Sequence, residues 1–213
     1  MTSRERILNA AVSVFARKGK HGTRMEEIAA TAHINKAMIY YFFHSKDELY
    51  YEVIRSFVDI AQQHFTRKVF DTVKEGRHKA DFIRDYISME IDLFSAHPLY
   101  AQICIEALTS RSDDISRAVS SIRSPQTSDD ILNLIRKELE AGKREGIFRD
   151  IDADQLLITI TELVMTYFFS SSFAQLLSIE IKDEKAFLEE RKNFVINLVM
   201  NAILLPQKKN RNR

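Results

Sequence analysis

The apolar residues of the chain recur at the spacing of an α-helix from its first turn onward. The first apolar stripe consists of Ile7, Leu8, Ala11, Val12 and Phe15. It predicts a helix over about residues 3–18, because apolar positions three and four apart share one helical face. Thr2 and Glu5 match the Thr-x-x-Glu capping box that begins such a helix, and the pattern ends at Gly19.

Two short helices and a longer one are predicted next. Residues 23–26 form a second capping box, which predicts a short helix ended by a tight turn at residues 31–34. Asn35 is a favourable cap for a third helix over residues 36–43. A further capping box at residues 45–48 predicts a fourth helix that continues to about residue 65.

The rest of the chain is also predicted to be helical. The helical patterns cover about residues 79–96, 98–109, 127–145, 153–175 and 184–205. Residues 110–128 are rich in Ser and Arg and contain Pro125, so they are predicted to form a mobile connection. The basic residues after Pro206 are predicted to be a disordered tail.

Composition supports an all-α fold. Five Gly and three Pro among 213 residues leave too few turn-forming residues for many short strands, and 45% hydrophobic residues are enough for a packed core. The single Cys104 forms no internal disulfide, which favours a reducing, cytoplasmic location. No apolar run approaches the roughly 18 residues of a membrane span, and the N-terminus has no signal-peptide pattern. We therefore expect a soluble, cytoplasmic protein that does not contact the membrane.

Charge is distributed unevenly along the chain. Residues 1–46 carry eight basic and three acidic side chains, and the last seven residues carry four basic ones, although the whole chain has a net charge of only +1. The intervening residues are therefore acidic, with a net charge of −8. A basic end on an acidic body suits a protein whose N-terminal part meets a polyanion, although chance clustering on solvated helices would give the same pattern.

The second and third predicted helices have the form of a helix-turn-helix. The residues expected to pack these helices against the first one are Ile28, Ala29, Ile34, Ile39 and Phe43. The residues that this packing leaves facing outward are Lys36, Ala37, Met38, Tyr40 and Tyr41. A short helix with such an outer face has the size and chemistry to enter the major groove of DNA.

Residues 22–49 resemble the helix-turn-helix and the start of the fourth helix of TetR-type transcriptional regulators. They read GTRMEEIAATAHINKAMIYYFFHSKDEL. The resemblance implies an all-α protein with a helix-turn-helix DNA-binding domain over residues 1–47 and a larger effector-binding and dimerisation domain over residues 48–206. Residues 207–213 would be the basic tail.

The resemblance also implies which residues contact double-stranded operator DNA. They are Thr23, Arg24, Asn35, Lys36, Ala37, Met38, Tyr40, Tyr41, His44 and Lys46. Arg24 and Lys46 would also be unremarkable as solvated charges, and the two tyrosines as partial core residues. The chain departs from the family at His33, where the turn usually has Gly, and at Phe42, where a polar residue is common. A left-handed His33 implies local strain or a modified turn.

Two of the later helices are apolar on more than one side, which predicts that a second chain covers them. The resemblance implies a homodimer. The residues predicted to form its interface are Leu156, Ile160, Leu163, Tyr167, Phe187, Phe194, Leu198 and Ala202. Burial of both helices inside a monomer is the alternative.

Aromatic and Met residues in the central helices suggest a pocket for a small, largely apolar effector, although any one of them is more often plain core. They are Phe82, Tyr86, Met89, Phe94, Tyr100, Ile103, Cys104, Met165, Phe168, Phe169 and Phe173. Binding there would shift the body between arrangements and alter the separation of the two DNA-binding heads.

No pattern in the sequence indicates an enzyme. The six His residues lack metal-ligand spacing, the lone Cys has no evident base, and the scattered Gly residues form no phosphate loop, so neither metal nor cofactor is expected. The prediction is a ligand-responsive DNA-binding regulator, most simply a repressor that its effector releases from DNA. The alternative is a helical ligand sensor or adaptor with weak or lost specific DNA binding.

Overall fold

The computed structural model describes residues 1–74, 78–122 and 128–206, which form eleven α-helices and no strand. The helices are α1 Ser3–Gly22, α2 Met25–Ala32, α3 Lys36–Phe42, α4 Lys46–Lys74, α5 Lys79–Ala96, α6 Pro98–Thr109, α7 Asp114–Ile122, α8 Ser128–Arg144, α9 Ala153–Tyr167, α10 Ser170–Leu176 and α11 Glu184–Ile203. The all-α prediction is confirmed.

Several predicted elements differ from the structure. Helix α1 continues to Gly22 rather than to about residue 18, and α4 continues to Lys74 rather than to about residue 65. Residues 114–122, which were expected to lie in a mobile connection, form α7, where Asp114 occupies the first turn and Ala118 is buried. The helix predicted over residues 153–175 is two helices, α9 and α10, bent by 70°. The break follows Phe168, where Phe169 takes a non-helical conformation ahead of three serines of modest helix propensity. The predicted tail at residues 207–213 lies outside the described residues.

The chain forms two compact units. Unit 1 combines Met1–His64 with Ala96–Ser128, and unit 2 combines Phe65–Ser95 with the described residues from Asp129 onward. This division differs from the predicted boundary at residue 47, because α6 and α7 pack with the first four helices. Ile103 and Ala107 of α6 are fully buried in the same core cluster as Phe15 of α1.

Unit 2 has its own apolar core, built from α5, α8, α9 and α11. Phe148, which follows α8, is buried in this core. The segment around Phe148 forms an antiparallel backbone bridge with Leu204, which follows α11. The amide of Arg149 donates to the carbonyl of Ile203 at 2.7 Å, and the amide of Leu205 donates to the carbonyl of Ile147 at 2.9 Å. These bonds fix the end of α11 against the end of α8.

Gly142 of α8 is expected to be intolerant of a side chain. A Cβ atom at this position would lie 2.2 Å from Cδ2 of the buried Phe148 ring. Gly142→Ala should therefore destabilise the protein by about 2–3 kcal/mol, the range for overpacking a core. Gly22→Ala, whose Cβ would meet only Lys18 Cβ at 3.5 Å, is the control. Chemical denaturation of both variants measures the difference, and equal stabilities would contradict the packing at Phe148.

Within the described residues, no single helix has the length and apolar composition needed to cross a membrane. Helices α9 and α10 have the required length and apolar composition only when they are counted together, and they are bent by 70° relative to each other.

Candidate nucleic-acid interface and ligand cavities

The start of α2 differs from the sequence prediction by one residue. Arg24 is the N-cap, and its amide donates to Glu27 Oε2 at 3.5 Å, so the predicted box between Thr23 and Glu26 is wrong. Thr23 is only 2% exposed. Its hydroxyl donates to the carbonyl of Gly19 at 2.7 Å, where φ of 67° interrupts α1. The Thr23 side chain therefore stabilises the link between α1 and α2 rather than facing a phosphate.

The turn between α2 and α3 has the geometry that a helix-turn-helix requires. His33 adopts the left-handed conformation, with φ 52° and ψ 51°, so the turn keeps the geometry usual for Gly although the sequence has His. Its amide donates to the Ala30 carbonyl at 3.1 Å. Arg6 of α1, which the sequence analysis missed, donates to the carbonyls of Ala32 at 2.6 Å and His33 at 2.9 Å. These bonds hold the turn although a non-glycine residue occupies the strained position.

The third helix presents most of its side chains to solvent. Asn35 caps it by accepting the Ala37 amide at 2.9 Å, and the fully buried Ile39 fixes it to the core of unit 1. The exposed side chains are those of Lys36, Ala37, Met38, Tyr40 and Tyr41, of which Tyr41 is 74% exposed. Exposed aromatic and apolar residues on a seven-residue helix form a surface that is suited to contact a partner.

Lys36 is held by an ion pair on this surface. Its Nζ lies 2.5 Å from Glu26 Oε1 of α2 and 5.6 Å from the centre of the Tyr40 ring. The hydrogen bond to Glu26 raises the pKa of Lys36, and the same bond lowers the pKa of Glu26. Both groups are solvent-exposed, so Lys36 stays charged and can exchange this carboxylate for a phosphate at little cost.

The residues between α3 and α4 have different roles from one another. His44 is exposed, and its amide donates to Glu48 Oε2 at 3.0 Å. Lys46 is half-buried, and its Nζ donates to the carbonyl of Thr23 at 3.2 Å. Phe42 is half-buried against the core of unit 1. An apolar residue at this position therefore contributes to packing in this chain.

A polar cluster fixes α1 and α4 to α6 and α7, and the sequence analysis did not find it. Lys20 Nζ lies 3.0 Å from the buried Asp114 and 3.4 Å from Asp47. Glu106 of α6 accepts the hydroxyl of Tyr50 and, at 3.4 Å, the amide of Lys20. Burial acts to lower the pKa of Lys20, but the bonds and charge of Asp114 and Asp47 outweigh it and the pKa is raised. The cluster thus keeps Lys20 charged and anchored.

The structure separates the predicted dimer residues into two groups. Leu156, Ile160 and Tyr167 are buried in the core of unit 2, and the Tyr167 hydroxyl donates to the Leu188 carbonyl at 2.9 Å. These three are therefore unavailable to a second chain, because the inner face of α9 faces its own core. Leu163 of α9 and Phe187 of α11 are half-buried.

An apolar stripe remains exposed on α11. Phe194 is 58% exposed and Leu198 is 50% exposed, and Ala202 is exposed one turn further on. Val195, Val199 and Ile203, each one residue further along, lie about 100° around the helix and are buried in unit 2. The helix is thus apolar on two sides, as the sequence predicted, and one side is uncovered in a single chain.

The described residues of unit 2 line at least two cavities. The first has a volume of about 410 Å³ and is lined by Tyr86, Arg136, Asp154, Leu157, Ile158, Thr161 and Glu162. The second has a volume of about 520 Å³ and is lined by Thr166, Ser170, Phe173, Ala174, Leu177, Ile179, Phe187 and Arg191. Of the predicted pocket residues, Tyr86 lines the first cavity and Phe173 lines the second.

The other predicted pocket residues are distributed between core and surface. Phe82 and Met89 are buried in the core of unit 2, Phe94 packs with Phe168 at a ring distance of 5.9 Å, Met165 is half-buried and Phe169 is exposed. Tyr100, Ile103 and Cys104 lie in unit 1, where Ile103 belongs to the core. Burial raises the pKa of the Cys104 thiol to about 12, so it is not a reactive nucleophile.

Comparison with known proteins gives a consistent assignment. The family profile described as "Bacterial regulatory proteins, tetR family" matches residues 7–53, and the profile "Tetracyclin repressor-like, C-terminal domain" matches residues 80–199. The chain is 27% identical over 195 residues to the HTH-type transcriptional repressor NicS of Pseudomonas putida, covering 86% of this chain and 84% of that protein.

Solved structures show the same fold. The ketosteroid transcriptional regulator KstR2 of Mycobacterium tuberculosis aligns with a TM-score of 0.71 at 19% identity, over 96% of each chain. The transcriptional regulator FadR of Bacillus subtilis, in complex with stearoyl-CoA, aligns with a TM-score of 0.66 at 18% identity, over 93% of this chain and 98% of that chain.

Proposed function

The chain belongs to the TetR family of bacterial regulatory proteins, and we propose how its residues would act as those of a ligand-responsive, DNA-binding transcriptional regulator. The proposal is that α3 of each subunit of a homodimer lies in the major groove of an operator. Lys36, Ala37 and Met38 would approach base edges, and Tyr40 and Tyr41 would contact phosphates or sugars. The observation that carries this is the exposed outer side of α3 above the buried Ile39.

Other basic residues would position the helix-turn-helix on the DNA backbone. Arg24 and His44 are exposed, and Lys46 lies at the first turn of α4. Each is placed to contact phosphates, whereas Asn35 contributes as the cap of α3. The polar cluster around Glu106 and Asp114 would keep these elements in register, because it ties the ends of α1 and α4 to α6 and α7.

Lys36→Ala should reveal a phosphate contact by its salt dependence. We expect weaker binding and a decrease of about 1 in the slope of log K against log salt, because one counterion fewer is released per contact. Fluorescence anisotropy with a duplex selected from a random library by the wild-type protein measures both quantities. Lys185→Ala, an exposed lysine on α11, is the matched control. A salt slope identical to the wild-type value would remove Lys36 from the phosphate contacts.

Dimerisation would use the exposed stripe of α11. Phe194, Leu198 and Ala202 follow one another along one side of α11, and the half-buried Phe187 lies two turns before Phe194 on the same helix. The half-buried Leu163 of α9 is a further candidate. A contiguous apolar surface of this kind is unusual on a monomer. A symmetric pair of subunits would also place two copies of α3 on half-sites roughly 34 Å apart, which a palindromic operator requires.

The effector is proposed to bind unit 2 and to act by population shift. Two cavities with apolar walls support this, and the related FadR fold holds stearoyl-CoA. A ligand that favours one arrangement of the body would alter the separation of the two α3 helices and release the repressor. The site of action would be the bacterial cytoplasm, where the chromosome lies. The family consists of transcriptional regulators, and we propose no enzymatic step.

A further inference from the structure

Helix α5 holds a carboxyl group that the proposed function does not use. The buried Tyr86 donates its hydroxyl to Glu90 Oε1, one turn away, at 2.5 Å. The second oxygen, Glu90 Oε2, is buried and has no hydrogen-bond partner within the described part of the chain. Enclosing an unsatisfied carboxyl oxygen costs folding free energy, so the arrangement is expected to have a function.

Tyr86 connects this carboxyl group to the first cavity. Its side chain contributes to the wall of the cavity of about 410 Å³, together with the apolar Leu157 and Ile158 of α9. This volume lies near the lower end of the roughly 300–1,000 Å³ that ligand sites occupy, so the cavity suits a small molecule. Its apolar walls would cover an uncharged skeleton.

The charges around the cavity favour a positive ligand. Arg136 is paired with Asp154 at 2.7 Å, which leaves Glu162 as the acidic group on the wall. Glu90 is outside the wall and is joined to it by the hydrogen bond from Tyr86. The Tyr86 hydroxyl already donates its proton to the hydrogen bond with Glu90. The phenol therefore offers a ligand its electron-rich ring and an oxygen lone pair, both of which attract donors and cations.

We propose that this cavity binds a small organic cation, an ammonium or protonated nitrogen on an apolar skeleton, which Tyr86 and Glu90 recognise. The inference rests on the proposed function in that unit 2 is taken to hold the effector site. The effector would then carry a positive charge instead of being largely apolar. The negative charge of Glu90, adjacent to the aromatic ring, is the feature that selects this class over neutral or anionic molecules of the same shape.

The destabilisation caused by burying the Glu90 carboxylate makes it possible to separate a loss of binding in Glu90→Gln from a loss of folding. Burial raises the pKa of Glu90 to about 7, although the bond from Tyr86 opposes the shift. The folded state thus holds the proton more tightly than the unfolded chain, and the stability that the neutral carboxyl confers is lost as pH rises from the model-compound value near 4.3 through 7. Glu90→Gln should therefore be at least as stable as the wild type at pH 8, because it removes the buried negative charge.

The test uses three probes of matched shape at pH 8: 4-phenylbutylamine, 4-phenylbutanol and 4-phenylbutyrate. Calorimetry and thermal shift on the full-length protein are expected to show binding of the amine and little or none of the alcohol and the acid. Glu90→Gln should weaken amine binding by about tenfold or more while its unfolding temperature does not fall. Glu180→Gln, an exposed residue of unit 2, should change neither property.

Three outcomes of this experiment would contradict the proposed binding of an organic cation. Equal responses to the three probes, no response of the wild type to the amine, or full amine affinity in Glu90→Gln would overturn it. Operator binding by the same preparations separates this failure from that of the proposed function. A wild-type protein that binds its selected duplex but not the amine remains a DNA-binding regulator without a cation site, whereas amine binding without operator binding would contradict the regulator.

Discussion

Leu198→Asp should convert the proposed dimer into monomers and nearly abolish operator binding. Leu198 lies in the middle of the exposed stripe of α11, between Phe194 and Ala202. A carboxylate there must be desolvated when two subunits associate, so self-association should weaken by at least about 100-fold, or ~3 kcal/mol. Monomers lose the linkage between two half-sites, which lowers operator affinity by a further factor of roughly 10²–10⁴. Sedimentation velocity and anisotropy measure the two effects.

Leu108→Asp is the matched control for this experiment. Leu108 of α6 is 55% exposed, close to the value for Leu198, but it lies in unit 1 rather than on the α11 stripe. The control variant should remain dimeric and bind the operator. A dimeric Leu198→Asp variant with wild-type operator affinity would show that a different surface joins the subunits.

Ala37→Glu should abolish operator recognition without weakening the fold. Ala37 is exposed in the first turn of α3, and its amide is capped by Asn35 at 2.9 Å. An acidic side chain near a helix N-terminus is favourable by about 0.3–1 kcal/mol, so the domain should remain folded. On DNA bound as proposed, the same carboxylate would face base acceptors and phosphates. With one substitution in each subunit, affinity should fall by at least about 100-fold.

Ala186→Glu provides the comparison. Ala186 lies in the first turn of α11, is exposed, and donates its amide to the capping Asp183 at 3.1 Å. It therefore has the same helical environment as Ala37 but is remote in sequence from the helix-turn-helix. We expect both variants to keep the circular dichroism spectrum and the unfolding temperature of the wild type. Only Ala37→Glu should lose operator affinity. Retained affinity in Ala37→Glu would place the outer side of α3 away from the DNA.

The local rules that define helices account for what the sequence predicts well. The bounds of α5 and α6 are as predicted, since Pro98 begins α6 after a short break. Asn35 caps α3, as predicted. These features depend on neighbouring residues, so a single sequence contains the information that specifies them.

The failures involve contacts that local sequence rules do not specify. Thr23 has the sequence signature of a cap, but the carbonyl of Gly19 takes its hydroxyl. Helix α7 forms in a Ser-rich segment because Asp114 pairs with Lys20, which is remote in sequence. Leu156 and Leu198 are equally apolar, and only the packing of α9 and α11 decides which is buried. Glu90 shows no pattern in sequence that marks it as buried.

Directed cleavage of DNA tests the central claim that two copies of α3 lie in successive major grooves. Cys104 is the only cysteine and is buried, so a Tyr41→Cys variant offers one accessible thiol per subunit for an iron-chelate cleavage reagent. Bound to the selected duplex, this conjugate should cut at two clusters, each in a major groove, with centres about 10 base pairs or a multiple apart. Uniform cutting, or a single cluster per duplex, would contradict a symmetric dimer that reads DNA with this helix.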